Sequence, residues 1–153
     1  MSSWFPLFID IEDRKITVIG AGRIATRRIR SLLESGAAVT VIAPAASDEV
    51  SALAAEGRVD WKKEGFIRGK GLLDGSVFVL SATDDRNVDT AVYEECKSLS
   101  IPVNIASDKD KCDFYFPGLA KGGGVTAGIT AGGCDHHLAF EATRRIQKLL
   151  DDF

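Results

Sequence analysis

The stretch Lys15-Ile16-Thr17-Val18-Ile19-Gly20-Ala21-Gly22-Arg23-Ile24-Ala25 constrains this chain more than any other. Ile16, Val18 and Ile19 predict a short strand covered on both faces. Gly20-Ala21-Gly22-x-x-Ala25 then fits the G-x-G-x-x-G/A turn that joins a strand to a dinucleotide-binding helix. Gly20 permits the sharp turn. Gly22 lets the backbone approach a pyrophosphate with no Cβ in the way, and Ala25 lets the helix pack close to the strand. The helix N-terminus offers unpaired N–H groups and the positive end of its dipole to the phosphates. The same pattern also occurs as an ordinary βα turn, so its place between strand and helix carries the inference.

The rest of the first two thirds repeats the alternation. The opening Phe5-Pro6-Leu7-Phe8-Ile9 predicts an extended segment lying on the domain. The helix after the glycine turn runs to about Ser35, with Ala25, Ile29, Leu32 and Leu33 as its buried stripe and Arg23, Arg27 and Arg30 on another face. Gly36 is a C-cap residue. Ala38–Ala43 predicts a second strand, stopped by Pro44, and Ser47 caps a short helix ending near Gly57. Val59-Asp60-Trp61 is a short strand. Lys62 to Gly75 is loop-rich. Ser76–Ala82 predicts a central strand, Asn87–Ser98 a helix and Pro102–Ala106 another strand. This order predicts an α/β, Rossmann-like, doubly wound parallel sheet with its ligand at the carboxyl ends of the strands.

After residue 112 the pattern changes. An aromatic Asp113–Pro117 segment and a Gly122-Gly123-Gly124 turn precede a strand at Val125–Thr130. A last helix is N-capped by Asp135, and its Leu138, Ala142, Ile146, Leu149 and Phe153 share a stripe. The expected division is a dinucleotide-binding domain over residues 1–112 and a strand–helix dimerisation region over residues 113–153. The alternative is a tail folded back on its own sheet.

Bulk properties exclude several classes. A length of 153 residues with 45% hydrophobic content suits one globular core. The net charge of −3 argues against nucleic-acid binding. Apolar runs are far short of a membrane span, and the N-terminus lacks the basic and apolar regions of a secretory signal. Cys96, Cys112 and Cys134 contain no C-x-x-C pair, which predicts neither a disulfide framework nor a cysteine zinc site. A reduced, cytoplasmic setting is the expectation.

An acidic residue at the end of the second strand usually holds the ribose of NAD. Here that place reads Ala43-Pro44-Ala45, with no Asp or Glu before Asp48 and no cation for a 2′-phosphate. The absence of a phosphate clamp leans toward NAD.

Seven segments in order resemble the precorrin-2 dehydrogenase family, the dehydrogenase part of sirohaem synthases. They are Phe5–Phe8, Val18–Arg28, Val41–Pro44, Ala82–Asp85, Pro102–Ile105, Cys112–Pro117 and Ile129–Gly133, and they cover essentially the whole chain. The resemblance implies oxidation of precorrin-2 to sirohydrochlorin by hydride transfer to NAD, on the route to sirohaem. It further implies an interlocked homodimer with a tetrapyrrole cleft beside the nucleotide domain, and in some members a ferrochelatase activity. Carried onto this sequence, Gly20, Ala21, Gly22, Arg23 and Ile24 are expected at the pyrophosphate. Ala43 and Pro44 are expected near the adenosine, and Ala82, Thr83, Asp84 and Asn104 toward the nicotinamide.

Three departures matter. Where the family commonly reads Asn-Val-Val-Asp, with the aspartate as proposed acid or base, this chain reads Asn104-Ile105-Ala106-Ser107, with Asp108 next. A serine hydroxyl is no base near neutral pH unless activated. Either Asp108 takes the role, or hydride transfer needs no dedicated base, or activity is reduced; Asp108 also fits a solvated turn. Second, Gly133 is followed by Cys134-Asp135-His136-His137. Adjacent helical histidines diverge by about 100°, yet Cys134, Asp135 and His137 could approach one ion, or His136 could face the cleft. A plain surface helix start is the other reading. Third, the chain ends at Phe153 where many members continue, which leaves the cleft more open or completed by another protein. Arg27, Arg28, Lys121, Arg144 and Arg145 are candidate partners for substrate carboxylates. A chelatase and a non-catalytic NAD- or tetrapyrrole-binding regulatory module stand as alternatives to the dehydrogenase.

Overall fold

The computed structural model describes residues 4–153, in two compact units: Asp10–Phe114, and residues 4–9 with Tyr115–Phe153. Met1, Ser2 and Ser3, on which part of the signal-peptide reading rests, lie outside the described residues.

The larger unit runs β1 (Lys15–Ile19), α1 (Arg23–Glu34), β2 (Ala38–Ile42), α2 (Asp48–Ala55), β3 (Asp60–Lys62), β4 (Val79–Ser81), α3 (Arg86–Leu99) and β5 (Val103–Ile105). All five strands are parallel, in the order β3-β2-β1-β4-β5. The chain moves outward from β1 to β3, then crosses to the other side of β1 for β4 and β5. That reversal opens a crevice between the carboxyl ends of β1 and β4, where open α/β sheets bind ligands. Ile16 and Val18 are fully buried because both sheet faces are covered. Ile19, Ile42, Leu73, Val79, Val92, Cys96, Val103 and Ile105 form one core cluster. Burial of each such large side chain contributes roughly 1.5–3 kcal/mol.

Helix α1 buries Ala25, Ile29 and Leu32, together with Thr26; Leu33 is only half-buried. Arg23, Arg27 and Arg30 are exposed. Gly36, at φ +80°, turns the chain so that the Ala37 N–H reaches back to the Leu32 carbonyl at 3.1 Å. Ser47 caps α2, accepting from the Val50 N–H at 3.2 Å. The strand expected over Ser76–Ala82 is shorter. The Ser76 N–H is held in a turn by the Leu73 carbonyl and the Val77 N–H reaches the Lys15 carbonyl at 2.9 Å, while the registered pairing with β1 covers Val79–Ser81.

The smaller unit holds an antiparallel hairpin, β6 (Gly118–Gly122) and β7 (Val125–Ile129), and the helix α4 (His136–Leu150). Strand β7 is the strand expected at Val125–Thr130, and β6 is a partner strand that the sequence pattern does not predict. Its composition, Gly-Leu-Ala-Lys-Gly, has no β-branched residue, and the small side chains serve to bring α4 close. A Cβ on Gly118 would lie 2.2 Å from Thr143 Oγ1, and one on Gly122 would lie 2.4 Å from the Leu150 carbonyl oxygen. Asp135 caps α4 through the Leu138 N–H at 2.8 Å, as the sequence predicts.

The apolar stripe expected on α4 is displayed rather than packed on the hairpin. Leu138 and Leu149 are exposed, as is Phe153 beyond the helix end. The side that meets the hairpin carries Thr143, Gln147 and Leu150 instead. Close backbone approach, rather than apolar bulk, selects that face. In the opening segment Phe5, Leu7, Phe8 and Ile9 are exposed, while the Trp4 ring rests on Tyr115 with centroids 4.1 Å apart. No helix among the described residues is long and apolar enough to cross a membrane.

Candidate dinucleotide site and its catalytic edge

The glycine turn sits at the head of the crevice. Gly20 adopts φ +96°, and a Cβ there would lie 2.6 Å from the Ala82 carbonyl oxygen. Only glycine fits this turn without strain or collision. The Ala82 N–H donates to the Ile19 carbonyl at 2.8 Å, so β4's end is locked against β1's end. Gly22 differs. A Cβ there would meet nothing within 4 Å, and Gly22 is the N-cap of α1 with no side-chain cap. The first turn of α1 contains no acidic residue. Helices α2, α3 and α4 are capped by Ser47, Asp85 and Asp135. An open space before an uncapped helix start, free of negative side chains, suits an anionic pyrophosphate. Ala25 is fully buried where the helix crosses the sheet.

A hydroxyl chain fixes this turn. Val50 N–H donates to Ser47 Oγ, Ser47 meets Thr26 Oγ1 at 2.8 Å, and Thr26 donates to the Gly22 carbonyl at 2.6 Å. Ser47 N–H also donates to the Ala21 carbonyl at 2.9 Å. The loop after β2 is therefore tied directly to the glycine turn. Ala43 is buried and Pro44 exposed, and the Trp61 indole N–H donates to the Ala43 carbonyl at 2.9 Å. Arg23, Ile24 and Asp84 are exposed, and Ala82 and Thr83 half-buried. Thr83 Oγ1 accepts from the Asp85 N–H at 3.1 Å, shaping the loop after β4.

The edge beside β5 carries the polar cluster. Asn104 is buried, with Oδ1 accepting from the Arg28 guanidinium at 2.7 Å and Nδ2 donating to the Phe114 carbonyl at 2.9 Å. Its amide thus ties α1, β5 and the aromatic segment together. Desolvation lowers the pKa of the Arg28 guanidinium. Ser107 is exposed and donates to Asp89 Oδ2 at 2.7 Å, while Ser81, the last residue of β4, donates to Asp89 Oδ1 at 2.7 Å. Asp89 is only 4% exposed. Asp108 accepts from the Asp110 N–H at 3.1 Å and caps the 3-10 turn Lys109–Lys111, with Lys111 Nζ 3.8 Å from its carboxylate.

Comparisons with known proteins agree with this geometry. A family model described as "Putative NAD(P)-binding" matches residues 7–118. The chain belongs to the precorrin-2 dehydrogenase/sirohaem synthase N-terminal NAD(P)-binding domain family. Siroheme synthase 1 of Pectobacterium atrosepticum is 32% identical over 148 residues, covering 97% of this chain and 30% of the relative. The siroheme synthase of Hydrogenovibrio crunogenus is 33% identical over 148 residues, covering 96% and 31%. The chain thus spans about a third of the length of these curated relatives. Among solved structures, SirC, a precorrin-2 dehydrogenase, superposes with a TM-score of 0.78 at 28% identity, over 97% of this chain and 72% of that one.

Within this family domain the structure gathers the Gly20–Ile24 turn, the Ala43–Pro44 loop, the Ala82–Asp84 loop and Ser107 at the carboxyl ends of the strands. The metal possibility at the last helix does not form. No three His, Cys, Asp or Glu side chains converge among the described residues, and the Asp135 carboxylate is used as a cap. Of the candidate cations, Arg144 and Arg145 pair with Glu141, and Arg28 bonds Asn104. Sequence reasoning missed Thr26, Trp61, Ser81 and Asp89. A threonine facing a capping serine, or an aspartate on a helix, carries no spacing signal.

Proposed function

We propose that this chain is an NAD-dependent precorrin-2 dehydrogenase that oxidises precorrin-2 to sirohydrochlorin in sirohaem biosynthesis. The observation that carries the reading is the open, uncapped start of α1 at Gly22, in a chain aligned over 97% of its length with a precorrin-2 dehydrogenase. Backbone N–H groups of the Gly20–Ile24 turn bind the pyrophosphate. Ala43 and Pro44 flank the adenosine, and Ala82, Thr83, Asp84 and Asn104 border the nicotinamide side. When bound, NAD supplies the hydride acceptor. The protein's part is to hold the reacting edge of the tetrapyrrole against it and to receive a proton from the substrate. Asn104 acts by keeping the β5 edge rigid, since both ends of its amide are engaged within the fold.

Residues 1–112 form the nucleotide domain in this reading, and residues 113–153 the dimerisation region. Leu138, Phe140, Leu149 and Phe153 are exposed together with Phe5, Leu7 and Phe8. This surplus of apolar surface supports a homodimer. The cysteines are free, which accords with a reduced cytoplasmic setting, and burial pushes the Cys96 thiol up to about 12. No observation favours the chelatase reading.

The test is anaerobic incubation with precorrin-2 and NAD+, following NADH at 340 nm and the tetrapyrrole spectrum, with solution mass measured by light scattering. Turnover is the expected result. NAD+ binding without turnover would instead support the regulatory module.

A further inference from the structure

The polar edge beside β5 holds a buried acid that the proposed reaction has not yet used. We propose that Asp89 is the proton-accepting carboxylate of this site and that it works through the Ser107 hydroxyl. The inference rests on the dehydrogenase reading and names the group that completes it.

Three observations carry the assignment. Asp89 is 4% exposed and makes no ion pair among the described residues, so the fold keeps an acid where a neutral side chain would cost less. Its two oxygens each receive a serine hydroxyl at 2.7 Å, from Ser81 and Ser107, and it stands in the first turn of α3, where the helix dipole favours negative charge. Ser107 itself is exposed, just past the carboxyl end of β5. A hydroxyl has one proton. Ser107 commits that proton inward to Asp89, so what it presents outward is an acceptor lone pair. A serine backed by a carboxylate is the activated form that an isolated serine lacks.

Asp108 is the competing acid. Its carboxylate is occupied by the Asp110 N–H and lies near Lys111, in a local capping role. The Asp108 N–H donates to the Ile105 carbonyl at 3.1 Å within the same turn, but its carboxylate makes no hydrogen bond to the β4 or β5 strand ends among the described residues, whereas the Asp89 carboxylate is bonded to Ser81 and Ser107 at both edges of that opening.

The step balances. The substrate loses two electrons and one hydrogen as hydride to the oxidised nicotinamide dinucleotide. Its second hydrogen leaves as a proton to Ser107 Oγ while the Ser107 hydroxyl proton passes to Asp89 Oδ2. Ser107 ends unchanged and Asp89 ends neutral, to be deprotonated by solvent before the next turnover. Ser107 is the catalytic residue, and Asp89 is the positioning residue that accepts the proton through it.

Asp89→Asn keeps the side-chain shape and can still pair with both serines. It should lower kcat by about 10²–10⁴-fold, the usual contribution of a positioned acid or base. NAD+ affinity, measured by calorimetry, should not change. Asp89→Asn/Ser107→Asp, which moves the carboxylate outward by one hydrogen bond, should recover at least about tenfold of that loss. A merely structural acid would not be rescued this way. Ser107→Ala, at an exposed position, carries the same kcat prediction and serves if Asp89→Asn does not fold. A readout without cofactor accompanies these: the Asp89 carboxyl 13C resonance should shift on Ser107→Ala in the NAD-free protein. Unchanged kcat in Ser107→Ala, a failed rescue, or an unmoved carboxyl resonance each overturns the proposal. A wild-type chain that binds NAD+ but leaves precorrin-2 unoxidised removes the dehydrogenase reading, and this relay with it.

Discussion

The two units of this chain are stabilised by different means. The sheet unit is a conventional apolar core: among the described residues nearly all buried hydrophobic side chains belong to it, and only Ala120 and Leu150 lie in the hairpin–helix unit. The hairpin–helix unit carries the reverse. Of the thirteen exposed large hydrophobic residues among the described residues, ten lie in residues 4–9 and 115–153. Its internal contacts are close backbone approaches at Gly118 and Gly122, and a reciprocal pair in which Gln147 accepts from the Lys121 N–H at 2.9 Å and donates to the Lys121 carbonyl at 2.8 Å. The first unit is built to hold a crevice still. The second displays apolar surface and is held by geometry.

The sharpest test of that contrast lies in the glycine turn itself. Gly20→Ala meets a positive φ and a backbone oxygen at 2.6 Å, both part of the sheet unit's core geometry. The conformational penalty alone is about 1–2 kcal/mol, and the collision adds to it, so thermal unfolding should show a loss above about 2 kcal/mol. Gly22→Ala, two residues on, should cost less than about 1 kcal/mol and weaken NAD+ binding at least tenfold, read by calorimetry. Equal stability losses at both positions would mean that Gly22 serves the fold rather than the ligand.

The matching test in the hairpin–helix unit is Gln147→Leu. It removes both bonds to the Lys121 main chain, and the exposed cost of leaving such groups unmatched is about 1–3 kcal/mol. Because this unit has little core to compensate, the loss should appear as faster amide exchange in β6 and α4, with β1 and β4 unchanged. Exchange that rises equally in the sheet strands would show that the two units unfold together, and the contrast would fail.

Ser47→Ala is expected to act more mildly, at about 1 kcal/mol, because it removes one N-cap. It also breaks the hydroxyl chain to Thr26 and Gly22. Its NAD+ affinity should therefore fall a few-fold while the hairpin is untouched. A stability loss with undiminished affinity would separate the cap from the cradle.

The sheet unit was also the more legible in the sequence, for physical reasons. The succession of strands and helices follows from alternating apolar runs and helical stripes, whereas the strand order β3-β2-β1-β4-β5 is known from the structure. The G-x-G-x-x-A turn announces its own position because glycine at Gly20 is enforced by backbone conformation. In the hairpin–helix unit, β6 gave no pattern, since its small residues are selected for clearance from α4 and not for burial. The stripe of Leu138, Ala142 and Leu149 has helical periodicity but does not mark the face that meets the hairpin. The same limit applies to the polar edge of the site. Ser81, Asp89 and Ser107 converge from β4, α3 and the loop after β5. Nothing in their spacing reveals that they meet, whereas Asp108, adjacent to Ser107 in sequence, is turned to a local cap.

The smallest effect expected is on α4's surface. Glu141 accepts from Arg144 and Arg145, and these hydrogen bonds hold its carboxyl down to about 2 against an ordinary 4.5. A depressed acid contributes stability that is present above about 4.5 and lost as the pH falls toward about 2. Solvent screens an exposed cluster of this kind, so its contribution is slight. Glu141→Gln should therefore differ from the wild type in α4 amide exchange near neutral pH and converge with it near pH 2. A difference that persists at pH 2 would mean that Glu141 supports the helix through packing rather than charge. Glu141 also neutralises Arg144 and Arg145, two of the cations expected to meet substrate carboxylates. Its removal should then strengthen polycarboxylate binding if those arginines face the tetrapyrrole, and leave it unchanged if their only partner is Glu141.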